Sequence, residues 1–203
     1  MTKRNKKALK KNLIILIIVL FVIAIFLYFV LFKKTDKTSV VEEISKYSYT
    51  LDDRDTVYMR SVFRELKDTL NAKNINFEKY AELLTKLYVI DLYTMDNKNS
   101  KYDVGGFEYV HPDGVENFKL QVGETLYKYI GSFKKSELPE VINVEVSNIS
   151  TDKYTYNEKE YDAYKLDAIW EYETNLGYDS KAEVTVMKDG NMLYIVEFNP
   201  EVK

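Results

Sequence analysis

The hydrophobic pattern of this chain changes period twice, and the changes mark off three stretches with different predicted structures. From Leu13 to Phe32, twenty consecutive side chains are apolar or aromatic, with no charge, Gly, Pro or amide among them. At a helical rise of about 1.5 Å per residue such a run covers roughly 30 Å, the thickness of a bilayer's hydrocarbon core. In lipid a helix satisfies its backbone groups internally. Leu, Ile, Val and Phe near a helix centre each favour insertion by about 0.3–0.6 kcal/mol. The run therefore predicts a membrane span over 13–32. Residues 33–49 are polar apart from a short helical hint at Val40–Ile44. They read as a juxtamembrane stalk or a continuation of the membrane helix.

From about residue 50 to residue 130 the apolar positions recur every three or four residues. A first helix is predicted to start near Leu51–Asp55, where acids suit the positive end of the helix dipole. It places Met59, Val62, Phe63, Leu66 and Leu70 on one face, and Asn71–Asn74 ends it. Asn76 is the candidate N-cap of a second helix, with Ile75 and Tyr80 at the two staple positions. Phe77, Tyr80, Ala81, Leu84, Leu87 and Tyr88 hold its stripe. Beyond Tyr88 the apolar residues Val89, Ile90, Leu92 and Tyr93 spread around the helix and predict burial on more than one side. Asp91 lies within this stretch, where a carboxylate is more readily paired or capping than catalytic. A third helix is predicted from Pro112 or Asp113 to Ile130, with Val115, Phe118, Val122, Leu126 and Tyr129 along its face and Gly131 as its stop. Ahead of it, Gly105-Gly106 predicts a tight turn or a close backbone approach, since the spacing of a phosphate-binding loop is missing.

After Gly131 the period drops to two. Ile142, Val144 and Val146 alternate with polar residues, as do Tyr164, Leu166, Ala168, Trp170 and Tyr172, and then Ala182, Val184 and Val186. The last run is Met192–Phe198. The second strand is long, about Tyr161 to Thr174, and long strands in small sheets bend. Asp189-Gly190 predicts a two-residue hairpin turn, with Val186 opposite Leu193 and Val184 opposite Ile195 on a core face. The other face then holds Met187, Met192, Tyr194 and Val196 beside Thr185 and Glu183. It is unusually apolar for solvent, which makes those four residues a candidate interface. The expected fold is α+β, with about three helices packed on a curved four-stranded antiparallel sheet.

Charge adds orientation. Residues 1–12 carry six Lys or Arg and no acid, so they form a basic cytoplasmic tail that retains the N-terminus inside. The remainder has 23 Lys/Arg against 32 Asp/Glu, a net charge of −9, and is expected outside the membrane as one domain over 50–203. A negative domain is no partner for a phosphate backbone, so nucleic acid is excluded as a ligand. The chain has no cysteine, and the core of the run is too long for a cleaved signal peptide.

Chemistry is scarce. The lone histidine, His111, and the absence of cysteine argue against a structural zinc site. Asp52, Asp53 and Asp55 have the wrong spacing for a calcium loop, and no serine sits in a nucleophile elbow. No catalytic, metal or cofactor residue is therefore expected, and the chain reads as a non-enzyme. Eighteen tyrosines, many in the sheet half, suit half-buried strands and also suit an interface.

A single anchor, two or three helices and then a curved sheet resembles the nuclear-transport-factor-two-like cone. Behind a signal anchor that plan is similar to the bitopic assembly component of type IV secretion and conjugation channels of the Gram-positive type. The features that carry the resemblance are Leu13–Phe32, the stretch Leu87–Tyr93 and the strand order from Val141 to Phe198. The resemblance implies a membrane-anchored scaffold with no catalytic role, whose partners are the membrane and other envelope or channel proteins, with self-association also open. It carries no functional residue over. The second expectation is a ligand-binding or sensing domain whose cone pocket would be lined by Tyr164, Trp170 and Asp91. The third is an enzyme using Asp91 with a tyrosine.

Overall fold

The structure is a computed structural model that describes residues 39–201 together with Val19, Phe21 and Val22. The basic tail, most of the expected span and the stalk as far as residue 38 lie outside the described residues. Among those described, no helix is long and apolar enough to cross a membrane. Residues 39–201 belong to one compact unit.

Its elements run β1 (Val40–Ile44), β2 (Tyr49–Asp52), α1 (Val57–Asn71), α2 (Phe77–Tyr93), α3 (Val115–Glu124), β3 (Val141–Tyr156), β4 (Lys159–Tyr172), β5 (Lys181–Asp189) and β6 (Met192–Pro200). Short 3₁₀ turns link α2 to β3. The fold is α+β, as expected, and the last four strands form one antiparallel sheet in the order β3-β4-β5-β6.

Val40–Ile44 is a strand and not a helical stalk. It pairs antiparallel with β2, and the turn between them places Ser48 at φ 57°. The reason is alternation that a polar average hides: Ile44, Tyr47, Tyr49 and Leu51 are all buried. Tyr49 packs among Tyr47, Tyr80 and Tyr109, and its hydroxyl shares a 2.6 Å hydrogen bond with that of Tyr80.

The first helix starts later than predicted. Thr56 is its N-cap, accepting from Met59 N at 3.1 Å, and Asp52, Asp53 and Asp55 all precede it. Its buried face is the predicted set, Met59, Val62, Phe63, Leu66 and Leu70. In α2 Asn76 caps as expected, accepting from Lys79 N at 3.1 Å, and burial widens around the last two turns. The helix crosses the sheet. Lys188 lies 3.8 Å from the Phe77 ring centroid at one end, and Tyr93 lies 4.9 Å from Trp170 at the other.

The third helix is shorter than its stripe predicts. It ends at Glu124, and Thr125 turns back so that its hydroxyl donates to the Gln121 carbonyl at 2.7 Å. Tyr127 decides this. Its hydroxyl donates to the Leu92 carbonyl at 2.7 Å from a fully buried position, a tertiary bond that a continuous helix would not place there. Gly131 falls inside a 3₁₀ turn and Tyr129 is exposed, so neither has its predicted role.

In the sheet, β3 carries the bend. Asn148 and Ile149 together face Leu166, a bulge with Asn148 at φ 54°. A bulge of this kind sharpens the local twist. The β5–β6 turn is Gly190-Asn191 and not Asp189-Gly190, because Asp189 pairs with Met192. Gly190, at φ 60°, takes the first turn position, as a type II′ turn requires. The register therefore slips by two residues, which leaves the side chains between Val186 and Ile195 on their expected faces. Val184, Val186, Leu193 and Ile195 are buried, although Val186 now faces Ile195 and Val184 faces Phe198.

Candidate functional site

Two features that share no lining residue carry functional potential. The first is built around Asp91. Gly105-Gly106 brings the following loop directly onto α2. A Cβ on Gly105 would lie 2.7 Å from Asp91 Oδ1 and closer still to the Asp91 carbonyl oxygen. Gly106, at φ 78°, donates its N–H to Asp91 Oδ2 at 2.6 Å. The other oxygen, Oδ1, meets Lys98 Nζ at 2.6 Å. Asp91 is thus paired inside the fold, as the apolar stripe suggested. Burial of Lys98 opposes its charge, but the Asp91 carboxylate outweighs this and holds its pKa above the usual value. A second ion pair, Arg54 with Asp103, ties the chain ahead of α1 to the same loop, and Arg54 also reaches Asp52 at 3.2 Å.

These groups surround a cavity of about 240 Å³. Five carboxyls line it (Asp52, Asp55, Asp91, Asp103 and Glu108) against two cations, Arg54 and Lys98. Four of the five spend both oxygens on fixed donors. Asp91 takes Lys98 and Gly106, and Asp103 takes Arg54 and Asn99 N. Asp52 takes Arg54 N and its guanidinium, while Glu108 takes the N–H and hydroxyl of Thr50. Asp55 differs. Its Oδ2 accepts from Asp52 N at 2.6 Å, and its Oδ1 receives no hydrogen bond among the described residues.

Burial, reinforced by the charges of Asp91 and Asp52, raises the Asp55 carboxyl to about pH 7, against the opposing pull of the Asp52 N–H and Lys98. Burial likewise raises Glu108. Both hold a proton more tightly folded than unfolded. The stability that Asp55 contributes is complete below about pH 4, the unfolded value, and is lost as pH rises through about 7, and Glu108 acts in the same direction. Full-length protein in detergent micelles should therefore unfold at lower urea at pH 8 than at pH 5. Asp55→Asn, which keeps an acceptor for Asp52 N, should recover on the order of 2 kcal/mol at pH 8 and roughly a third of that at pH 5.

The second feature is an apolar groove of about 630 Å³ between α3 and the outer edge of β6. Phe118, Val122 and Leu126 form one wall, and Ile195, Val196 and Phe198 the other. Its lining includes two acids, Asp179 and Glu197, and no basic residue. β6 is the last strand of the sheet; Val110 covers its edge by a parallel bridge to Ile195. Val196 is the extra residue of a bulge, since Thr185 faces Glu197 and Val186 faces Ile195. The bulge breaks the alternation, and Val196 turns into the groove instead of joining the outer face.

The residues singled out in the sequence scatter. Tyr164, Trp170 and Asp91 do not share a pocket. Asp91 lines the acidic cavity, Tyr164 is half-buried on the sheet, and Trp170 is 2% exposed, packed against Tyr93 and Phe198 with Nε1 donating to Tyr172 Oη at 2.7 Å. Of the candidate interface, Met187 is wholly buried, Met192 packs against the core and Tyr194 lies 5.0 Å from His111. The cause is the length of the β3–β4 hairpin. Its Tyr156 meets the same imidazole at 4.7 Å, so the hairpin tip folds over the outer face that the pattern left open. Val196 alone of the four reaches the groove. Sequence reasoning missed Asp55 and Glu108, although the glycine pair beside an acid in an apolar stripe was the usable signal. It missed the groove as well, because only a bulge creates it. Among the described residues no cluster of His, Cys, Asp and Glu is placed to hold a metal ion.

Comparison with family models, with curated proteins and with solved structures finds no match for this chain.

Proposed function

We propose that this chain is a single-pass membrane-anchored scaffold whose extracytoplasmic domain holds an extended segment of another envelope protein in the groove beside β6. The observation that carries the reading is that groove: apolar walls, an outer strand edge and an acidic lining. An extended segment laid along a strand edge gains main-chain hydrogen bonds, while pockets on either side select its side chains. Asp179 and Glu197, with the net charge of −9 after Phe32, favour a segment that alternates apolar and basic residues. Leu120, Tyr129 and Phe133, exposed on and after α3, add apolar surface of the kind that marks interaction sites. The anchor rests on the twenty-residue run and its basic flank. Val19, Phe21 and Val22 are helical and leave 48%, 66% and 60% of their surface uncovered by protein, which suits lipid contact.

The reading includes the nuclear-transport-factor-two-like cone, supported by the bulged, bent sheet with α2 across one face. It places the scaffold in a conjugation or secretion channel, supported by the resemblance of plan alone. The competing sensing role loses its expected cavity, because Trp170 is packed solid. A catalytic Asp91 is disfavoured by the commitment of both its oxygens to Lys98 and Gly106.

The test is co-purification from native membranes. Full-length protein should recover an envelope protein whose contact segment is apolar and basic. Val196→Lys, which answers the groove's acids itself, should lower that recovery at least tenfold while leaving folding and membrane association intact. Unchanged recovery with the variant, or recovery of the chain only as its own monomer, contradicts the reading. Protease added to intact cells should digest the portion after Phe32; survival of that portion contradicts the topology.

A further inference from the structure

Given the docking role proposed for the groove beside β6, on which this step rests, we infer that the guest segment seats an arginine side chain in an aromatic box made by Tyr88, Tyr93, Phe118 and Phe198, in preference to a lysine. Charge and shape come first. Four aromatic rings line the groove together with Asp179 and Glu197, and no basic residue joins them. Tyr88 stands between the two walls, its ring 6.0 Å from that of Phe118 on α3 and 5.1 Å from that of Phe198 on β6. Tyr93, further along α2, meets Phe198 at 6.2 Å. The faces of such rings carry negative potential, so rings and carboxylates attract a cation together.

Two hydroxyls with nothing to bond come second. Tyr88 and Tyr93 are each 3% exposed. Neither hydroxyl makes a hydrogen bond among the described residues, yet neither oxygen is sealed from solvent. The recess that both residues line is this groove. Tyr80, Tyr127 and Tyr172, buried nearby in the same core, all spend their hydroxyls inside the chain. Burial raises the pKa of Tyr88 and of Tyr93, with the charge of Asp179 adding to the effect at Tyr93, so both phenols are neutral and offer lone pairs. A polar group left unpaired in an apolar setting is unfavourable, and a guest that brings donors to it removes that cost.

Rings and hydroxyls together select the cation. A guanidinium is flat, weakly hydrated and rich in N–H donors, and it stacks on aromatic faces. Its plane can lie on a ring of the box while its edge reaches the tyrosine lone pairs and the Asp179 carboxylate. Lysine carries the same charge as a compact, strongly hydrated point that does not stack. A quaternary ammonium suits aromatic cages but brings no N–H for the two hydroxyls. Val122, Leu126 and Ile195 give the aliphatic stem an apolar surface to lie on.

The same hydroxyls make the box testable without disturbing the fold. Neither is bonded within the chain, so Tyr88→Phe and Tyr93→Phe keep the rings in place and take a partner from no other group. Both variants should therefore melt as wild type.

The experiment titrates full-length protein in neutral maltoside micelles, by calorimetry, with three end-capped peptides: Val-Arg-Val-Arg-Val, its lysine counterpart and its citrulline counterpart, which keeps the shape of arginine without the charge. Empty micelles serve as the blank. The arginine peptide should bind at least about fivefold tighter than the lysine peptide and at least about tenfold tighter than the citrulline peptide. The double variant Tyr88→Phe with Tyr93→Phe should bring arginine to within about twofold of lysine. Asp179→Asn should weaken both charged peptides severalfold and leave the citrulline peptide unchanged, whereas Val196→Lys should weaken all three. Equal affinity for the arginine and lysine peptides, citrulline bound as tightly as arginine, or an arginine preference that survives loss of both hydroxyls overturns the box, while sensitivity to Val196→Lys still supports the groove. Failure of all three peptides to bind overturns the box and the docking role together.

Discussion

Gly105→Ala should abolish the folded domain at room temperature. The added methyl would be driven into the main chain of Asp91, 2.6 Å from its carbonyl carbon and closer to its carbonyl oxygen. Contacts that short cannot be relieved by rotating a side chain, because the obstacle is the backbone of a buried helix. The loop must lift off α2 instead. Lifting it strips Gly106 N from Asp91 and separates Gly105 N from the Tyr127 hydroxyl that also holds the Leu92 carbonyl. A displaced loop with several buried polar groups left unpaired exceeds about 4 kcal/mol, the level at which single substitutions become exceptional. Circular dichroism of the full-length variant in micelles should show loss of the domain's cooperative melt. Gly131→Ala, where a Cβ meets nothing within 4 Å, should melt as wild type and serves as the control.

Lys98→Met should cost about 3–5 kcal/mol, because it leaves the Asp91 carboxylate buried with only an N–H for company. Lys98 is 6% exposed, and its ammonium sits 2.6 Å from Asp91 Oδ1, so solvent cannot step in for it. Against a typical total of 5–15 kcal/mol this is a large fraction. Asp91→Leu alone should be comparably damaging for the mirror reason, a buried ammonium without its partner. The double variant Asp91→Leu with Lys98→Met should recover much of the loss, since replacing both members of a buried pair with apolar groups is often near neutral. The recovery is incomplete, because Gly106 N still loses its acceptor, at about 1–3 kcal/mol. Urea unfolding followed by Trp170 fluorescence measures all three. A single-variant cost below about 1 kcal/mol would contradict the structural role assigned to the pair.

Much of this fold was legible in the chain because burial follows period. The faces of α1 and α2 and the inward residues of β5 and β6 came straight from spacing, and the two-residue slip at Gly190-Asn191 changed partners without changing faces. Legibility failed where tertiary contact overrode local pattern. The stripe from Val115 to Tyr129 promised one long helix, yet the tie from Tyr127 to Leu92 ended it at Glu124. Val40–Ile44 looked like a stalk, because the partner that makes it a strand lies beyond a turn. The site was less legible than the fold. Asp91 stood out as an acid in an apolar stripe, but the carboxyls gathered around it come from separate segments that only folding brings together. Met187 was assigned to an open face because the length of the β3–β4 hairpin, which folds over that face, is no property of β5 itself.

The most direct test of a docking groove is site-specific photocross-linking in intact cells, with a benzophenone side chain replacing Leu126 and, as an exposed control outside the groove's lining, Lys159. Leu126 should yield one dominant adduct with an envelope protein, mapped to an extended segment rich in apolar and basic residues, and Lys159 should not. Equal adducts from both positions, or none from Leu126 but lipid, would contradict the groove as the place where this chain holds its partner.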